Sequence, residues 1–329
     1  MKKFRLAVCV FLCFVFSIFM FAPTVAVPSA ESGEKVIVGG FPIGIAIDVG
    51  GLLVESVTGV STDYGTAYVE GLQRGDIIKS INGTKITNID DIFNNITNDD
   101  VNITIVRGGE EREITVRPIT EAFSGKPRLG IKVKEKIYGV GTCSFVRSDG
   151  SYAALGHEIY DGDTGVRLPQ SGGKIHSCKI LGIKKGTRGE AGGILASITE
   201  NVVYGTVTVN NNYGIAGKFE AEVPFAESLP LASRDEVTVG PAKIRTSIEN
   251  GPEYFDIEII KAARQSARRE KGIVFRVTDK RLLSLTGGVV RGMSGSPIIQ
   301  NGKVIAAVTH VFLNDFTKGY GVYADFLNK

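Results

Sequence analysis

Cysteine is scarce in this chain and poorly placed for a disulfide framework. Only four occur among 329 residues, and Cys9 and Cys13 fall in an apolar N-terminal segment. For the remaining pair, Cys143 and Cys178, one bridge in an oxidising compartment and two separate thiols are both open. Histidine is scarcer still, with His157, His176 and His310 alone, and no Cys/His spacing has the form of a zinc site. No metal and no cofactor are therefore expected. Surplus charge is lacking too: 38 basic residues face 35 acidic ones, and Lys2, Lys3 and Arg5 supply the whole excess. A body without a basic surplus has no electrostatic footprint for nucleic acid. Helix-forming stretches are few, whereas glycine is abundant at 41 residues. That combination favours β structure with many turns.

What is present begins with the leader. The three N-terminal cations precede an apolar run over residues 6–22 that ends at Pro23. This is the layout of a secretory signal, and the run is about long enough to serve as an uncleaved anchor. Residues 1–30 are read as signal peptide or membrane anchor, and in either case the rest of the chain is exported.

Residues 36–119 read as a small α+β module. Its marks are the run Gly71-Leu72-Gln73-Arg74-Gly75-Asp76-Ile77-Ile78, the hairpin turn Asn82-Gly83, and Ile89, Ile92 and Phe93 at helical spacing. The Gly-Leu-x-x-Gly-Asp-x-Ile-x-x-Ile-Asn-Gly run resembles that of a PDZ domain. The resemblance implies that Ile43, Gly44 and Ile45, following Pro42, form the loop that holds a peptide carboxylate. An extended ligand would then add as a strand to the domain edge.

After a linker containing Ser124-Gly125-Lys126-Pro127, residues 125–329 show regular short strands and turn signals, the pattern of a β-barrel or sandwich. The fold class is thus mainly β: leader, PDZ domain, then a β-barrel-type domain. The basic stretch 261–271, with Arg264, Arg268 and Arg269, reads as a solvated face or helix. The chemistry points to Gly292-Met293-Ser294-Gly295-Ser296-Pro297. A serine between glycines sits on backbone that turns sharply, which exposes the hydroxyl and aims nearby N–H groups at one point. Ser294 is the candidate nucleophile, Ser296 its alternate, and the N–H groups of Gly292 and Ser294 the candidate oxyanion donors. His157, just after a strand and a glycine, leads as base; His310 ends a strand 16 residues after Ser294, and His176 reads as an ordinary strand residue. Among carboxylates, Asp279, Asp161, Asp163 and Asp235 are not separated by spacing.

Thr278-Asp279-Lys280, the run 286–303, Ala307-Val308-Thr309-His310-Val311-Phe312, Lys318-Gly319-Tyr320-Gly321-Val322 and Leu155-Gly156-His157 together resemble the stage IV sporulation protein B family of serine peptidases, as does the order of parts. The resemblance implies a His–Asp–Ser endopeptidase, with His157 as general base, Asp279 as its orienter and Ser294 as nucleophile. It also implies self-cleavage near the N-terminus and action between the two forespore membranes. The implied partner is a protein substrate, an inhibitory membrane protein whose cleavage releases an intramembrane metalloprotease that processes a sigma-factor precursor. Two other readings remain open at this point: a non-catalytic exported PDZ scaffold and a general extracytoplasmic quality-control protease.

Overall fold

Two rings of antiparallel strands carry most of the protein, and their closure follows from the pairing register. The computed structural model describes residues 33–168, 172–187, 190–249 and 251–327. The expected leader, 1–30, lies outside the described residues. The first ring uses β1 (Pro42–Val57), β2 (Ile131–Val146), β3 (Ser151–Ala154), β4 (Gly173–Lys184), β5 (Gly193–Asn211) and β6 (Gly214–Phe219). Its neighbours run β1–β2–β3–β6–β5–β4 and return to β1. The second is a closed barrel of β7 (Gly240–Ser247), β8 (Pro252–Ala262), β9 (Ile273–Val277), β10 (Pro297–Gln300), β11 (Lys303–Phe312) and β12 (Asp315–Tyr323). The fold is mainly β, as the turn-rich sequence implies.

β1 changes the expected domain layout. Its first half pairs with β2 on one edge and β4 on the other: Ile43 lies opposite Gly141 and Ser177, and Ile45 opposite Gly139 and Ile175. Its second half belongs to the PDZ module, where Leu52 and Leu53 lie opposite Ile78 and Ile77. β2 returns along the same path, so the PDZ module is an insertion between two staves of the first ring. Residues 42–48 therefore belong structurally to the barrel, although the sequence places them in the PDZ domain. The uninterrupted apolar run Ile43-Gly44-Ile45-Ala46-Ile47 is what a strand buried on both faces requires, and all three isoleucines are fully buried. Each such side chain contributes about 1.5–3 kcal/mol.

This corrects the assignment of Ile43, Gly44 and Ile45 to a carboxylate-binding loop. Their strand has a partner on both edges, which leaves no free row of N–H groups for a peptide. Gly44 has a packing reason instead, since a Cβ there would lie 2.6 Å from a methyl of Ile198.

Within the PDZ module, Asn82 and Gly83 both adopt positive φ (49° and 79°), as the tight turn demands. Helix α1 (Ile89–Asn95) starts from a capping box between Asn88 and Asp91. The fully buried Asp76 holds the Arg107 guanidinium through both oxygens at 2.7 and 2.8 Å. A groove of about 190 Å³ lies between Ile89, Ile92 and Phe93 of α1 and the segments around Thr58–Ser61 and Arg128–Ile131.

Each ring has its own core, the first around Ile43, Ile45, Ile47 and Tyr152, and the two meet along a packed seam. Val36, Val38, Phe145 and Ala153 from the first side pack into the core of the second barrel, with Ile244, Phe255 and Phe275. The site lies along this seam.

Candidate active site

Helix α2 (Lys280–Thr286) ends in Gly287 at φ 80°, a left-handed cap whose N–H returns to Leu283 O. The chain then runs along the second barrel, with Val289 N donating to Phe316 O at 2.7 Å. It next tightens into two turns with positive φ at Gly292 (96°) and Gly295 (94°). The Met293 N–H donates to Val290 O, the Gly295 N–H to Val308 O, and the Ser296 N–H to Met293 O. Among the described residues, the N–H groups of Gly292 and Ser294 have no such acceptor. Successive N–H groups thus alternate between internal use and availability, and the two available ones are those the motif nominates as oxyanion donors.

The loop is carried by the other barrel. Thr142 of β2 donates its N–H to Ser294 O at 2.9 Å and its hydroxyl to Gly292 O at 2.8 Å, and Ser144 Oγ donates to Gly295 O at 2.8 Å. Gly295 must be glycine for this contact, because a Cβ would stand 2.0 Å from Thr142 O. The same Thr142 carbonyl accepts from Leu155 N at 3.3 Å. Thr142 therefore anchors the serine loop on one side and the turn leading into His157 on the other.

That turn is strained. Leu155 (φ 70°) and Gly156 (φ 73°) are consecutive left-handed residues, and leucine is rarely found there. Asn210, buried at the end of β5, holds the chain beyond it: its Oδ1 accepts from Ile159 N, and its Nδ2 donates to Ile159 O and Leu168 O, at 2.8 to 3.1 Å. Asp161, a competing carboxylate in the sequence, is occupied in the same loop by Lys134 at 2.8 Å and by Thr164. Sequence reasoning assigned no task to Asn210, Thr142 or Ser144. The signal of Thr142 and Ser144 is only that polar residues interrupt an otherwise apolar strand.

His157 Nδ1 lies 2.8 Å from Glu158 O. A carbonyl only accepts, so Nδ1 carries the proton in the neutral ring and Nε2 holds the lone pair. Burial lowers the His157 pKa below the ordinary imidazole value and so favours the neutral ring near pH 7, while the charge of Glu270 opposes that shift. The ring lies 5.4 Å from that of His310. Burial first, then the charges of His157 and Lys271, push His310 down to about 4. Its Nδ1 is buried without a hydrogen bond.

Ser294 Oγ donates to Thr309 O at 2.9 Å. Ser296 is fully buried, and its hydroxyl bonds Thr246 Oγ1 at 2.9 Å inside the barrel. Asp279 is bonded to the second barrel at Asp256, not to a histidine. It caps α2 by accepting from Leu282 N at 2.9 Å, and its other oxygen accepts from Asp256 N at 3.3 Å. The structure thus brings His157, Ser294 and Gly292 to one seam and places Asp279 on neither nitrogen of His157. His176 is a buried strand residue whose Nδ1 meets Glu200 O at 2.9 Å. Past Ala262, where β8 ends, the basic stretch is a loop rather than a helix, with the Arg268 guanidinium 4.1 Å over Tyr213. Cys143 and Cys178 are separate thiols, and no group among the described residues could hold a metal ion.

Comparison with known proteins adds to this geometry. A PDZ domain model matches residues 35–116, and a model described as SpoIVB peptidase S55 matches residues 125–327. Two solved structures of the Rv3671c protease from M. tuberculosis overlap the chain. The active form has 16% identity and a TM-score of 0.29, covering 57% of this chain and 70% of that one. An inactive serine-to-alanine mutant form has 16% identity and a TM-score of 0.28, covering 56% and 77%. A search of curated proteins returned no match. The family model spans more than half of the sequence and includes both His157 and the serine loop, so the chain belongs to the SpoIVB peptidase S55 family and is a serine endopeptidase carrying a PDZ domain.

Proposed function

We propose that Ser294 is the nucleophile and His157 its general base, and that the protein cleaves a small number of exported or membrane-anchored targets. The observation that carries this reading is the double use of Thr142, which ties the serine loop of one barrel to the histidine turn of the other. In the reaction, Ser294 Oγ leaves Thr309 O, gives its proton to His157 Nε2 and attacks the substrate carbonyl. The oxyanion takes the N–H groups of Gly292 and Ser294; each such donor is worth roughly 3–4 kcal/mol in the transition state. The tetrahedral adduct collapses, the scissile C–N bond breaks, and His157 hands its proton to the departing amine. Water activated by the same nitrogen then hydrolyses the acyl-enzyme, restoring the Ser294 hydroxyl.

In this mechanism the carbonyl of Glu158, rather than a carboxylate, fixes the His157 tautomer. Asp279 acts one step removed, by capping the helix that delivers the serine loop. The family description and the inserted PDZ module favour regulated cleavage over bulk degradation. The biological role proposed is sporulation signalling from the space between the forespore membranes. There the enzyme would cleave an inhibitory membrane protein and so release sigma-factor processing, with self-cleavage near its own N-terminus. The PDZ ligand would enter the groove beside Ile89 and Phe93.

Mapping a fluorophosphonate label tests the chemistry. Labelling is expected on Ser294 and not on Ser296, and Ser294→Ala is expected to lose kcat by on the order of 10⁶-fold. Full peptide cleavage by Ser294→Ala would move the nucleophile elsewhere, to Ser296 first; full complementation of function by His157→Ala would favour an exported binding module, and rapid casein degradation a quality-control role.

A further inference from the structure

The hairpin of β4 and β5 runs far past the first ring. Only residues 173–177 of β4 pair with β1, and only residues 205–211 of β5 pair with β6. The remainder is a two-stranded ribbon that crosses to the second barrel and ends on the segment just before the serine loop. Gly192 O accepts from Arg291 N at 2.9 Å, and Ile194 N donates to Arg291 O at 2.8 Å. The side chain of Ile194 covers Gly292, at whose position a Cβ would lie 3.0 Å from Ile194 Cβ. Gly186, at the tip, lies against the ring of Phe316, whose carbonyl holds Val289.

A trans peptide is planar, and its C=O and N–H point in opposite directions. The carbonyl that Ile194 holds belongs to the peptide whose N–H is that of Gly292. One hydrogen bond from the ribbon therefore fixes the direction in which an oxyanion donor points. The second donor is aimed by the same logic within the loop itself, since Met293 O accepts from Ser296 N at 2.9 Å and shares its peptide with Ser294 N. The two donors differ in who holds them: the Ser294 N–H is aimed locally, and the Gly292 N–H by a ribbon from the opposite barrel.

We propose that Ile194 is a positioning residue for catalysis: its backbone N–H holds the Arg291–Gly292 peptide in the orientation that presents the Gly292 N–H to the oxyanion. When the ribbon tip lifts from Arg291, that peptide is free to turn and the site loses one donor while keeping its substrate-binding surfaces. The inference rests on Ser294 being the nucleophile.

Ile194→Pro is the direct test, because Ile194 sits opposite Ile183 with its N–H turned toward Arg291. Proline removes that donor and no bond of the hairpin ladder. In the full chain, Ile194→Pro is expected to lower kcat about 10²–10³-fold, the effect of losing one oxyanion donor. KM for a short peptide ester is expected to change less than threefold, and a peptide aldehyde inhibitor to weaken in parallel with kcat. Ile194→Val, which keeps the N–H and the cover over Gly292, is expected to stay within threefold of the parent on all three. Should Ile194→Pro fail to fold, Gly192→Ala replaces it, since a Cβ there would stand 2.3 Å from Lys184 O and displace the tip. Unchanged kcat in the folded tip variant, or equal loss in Ile194→Val, overturns the inference. Those results with an inactive Ser294→Ala reject the ribbon alone, whereas an active Ser294→Ala rejects the nucleophile assignment as well.

Discussion

The two loops that meet at Thr142 are built on opposite plans. The serine loop supplies much of its own rigidity: alternate N–H groups close short turns, and Gly292 and Gly295 take the φ values those turns require. The histidine loop also closes turns of its own, Asp161 N on Val166 O and Gly165 N on Asp161 O, but it leaves the buried backbone of Ile159 and Leu168 to a distant side chain. Its entrance strains a leucine into left-handed backbone, and its shape is held from outside by the Asn210 amide and by Lys134 on Asp161. Damage to the first plan should stay local. Damage to the second should propagate, because one distant side chain satisfies several buried backbone groups at once.

Substitution of Asn210 gives that contrast its largest test. Asn210→Ala leaves the Ile159 amide and two carbonyls without partners, at about 1–3 kcal/mol for each buried group left unsatisfied. The melting temperature should fall, and peptide cleavage should drop at least tenfold even at temperatures where the variant is folded. Parent-like activity would mean that the histidine loop is self-supporting after all.

Asp279 sharpens the comparison from the other side. If its task is to cap α2, Asp279→Asn should keep most of the activity, since asparagine caps as well as aspartate does. Asp279→Ala should then cost about 1 kcal/mol of stability with a modest loss of rate. Loss of kcat near 10⁴-fold in Asp279→Asn would instead make it the orienter of His157 in a rearranged site.

The smallest effect expected is on pH dependence. Burial lowers His157, so the acid limb of kcat/KM should fall below the usual imidazole value near 6.5. His310 adds a stability term. Above pH 6.5 both folded and unfolded chains carry it neutral, and it contributes nothing. Between 6.5 and about 4 the unfolded chain binds a proton that the folded chain resists, so stability falls as the pH drops, by less than about 1.4 kcal/mol per unit. His310→Gln should flatten thermal midpoints over that window; an unchanged slope would remove His310 as the cause.

Legibility in the sequence followed the same division between local and distant. The serine loop could be read because its chemistry is written in adjacent residues, and α1 because Ile89, Ile92 and Phe93 stand at helical spacing in one short stretch. Gly44 was misread because a glycine between isoleucines looks the same whether it opens a loop or makes room for Ile198, 154 positions away. Asp279 looked like any carboxylate near a serine until its N-cap geometry was visible. Asn210 and the ribbon tip at Gly192–Ile194 left no readable sign, and Thr142 only that of a polar residue in an apolar strand, because each acts on backbone groups of segments remote in sequence.

The shared strands β1 and β2 also govern how the molecule can be taken apart. A fragment cut at the apparent PDZ boundary, starting near residue 125, would leave behind the stave that runs through Ile43 and Ile45. Its first ring would open, with β2 and β4 presenting bare edges to other chains. An intact peptidase without its PDZ module therefore has to be made by excising an internal segment and splicing its ends, never by shortening the chain from the front.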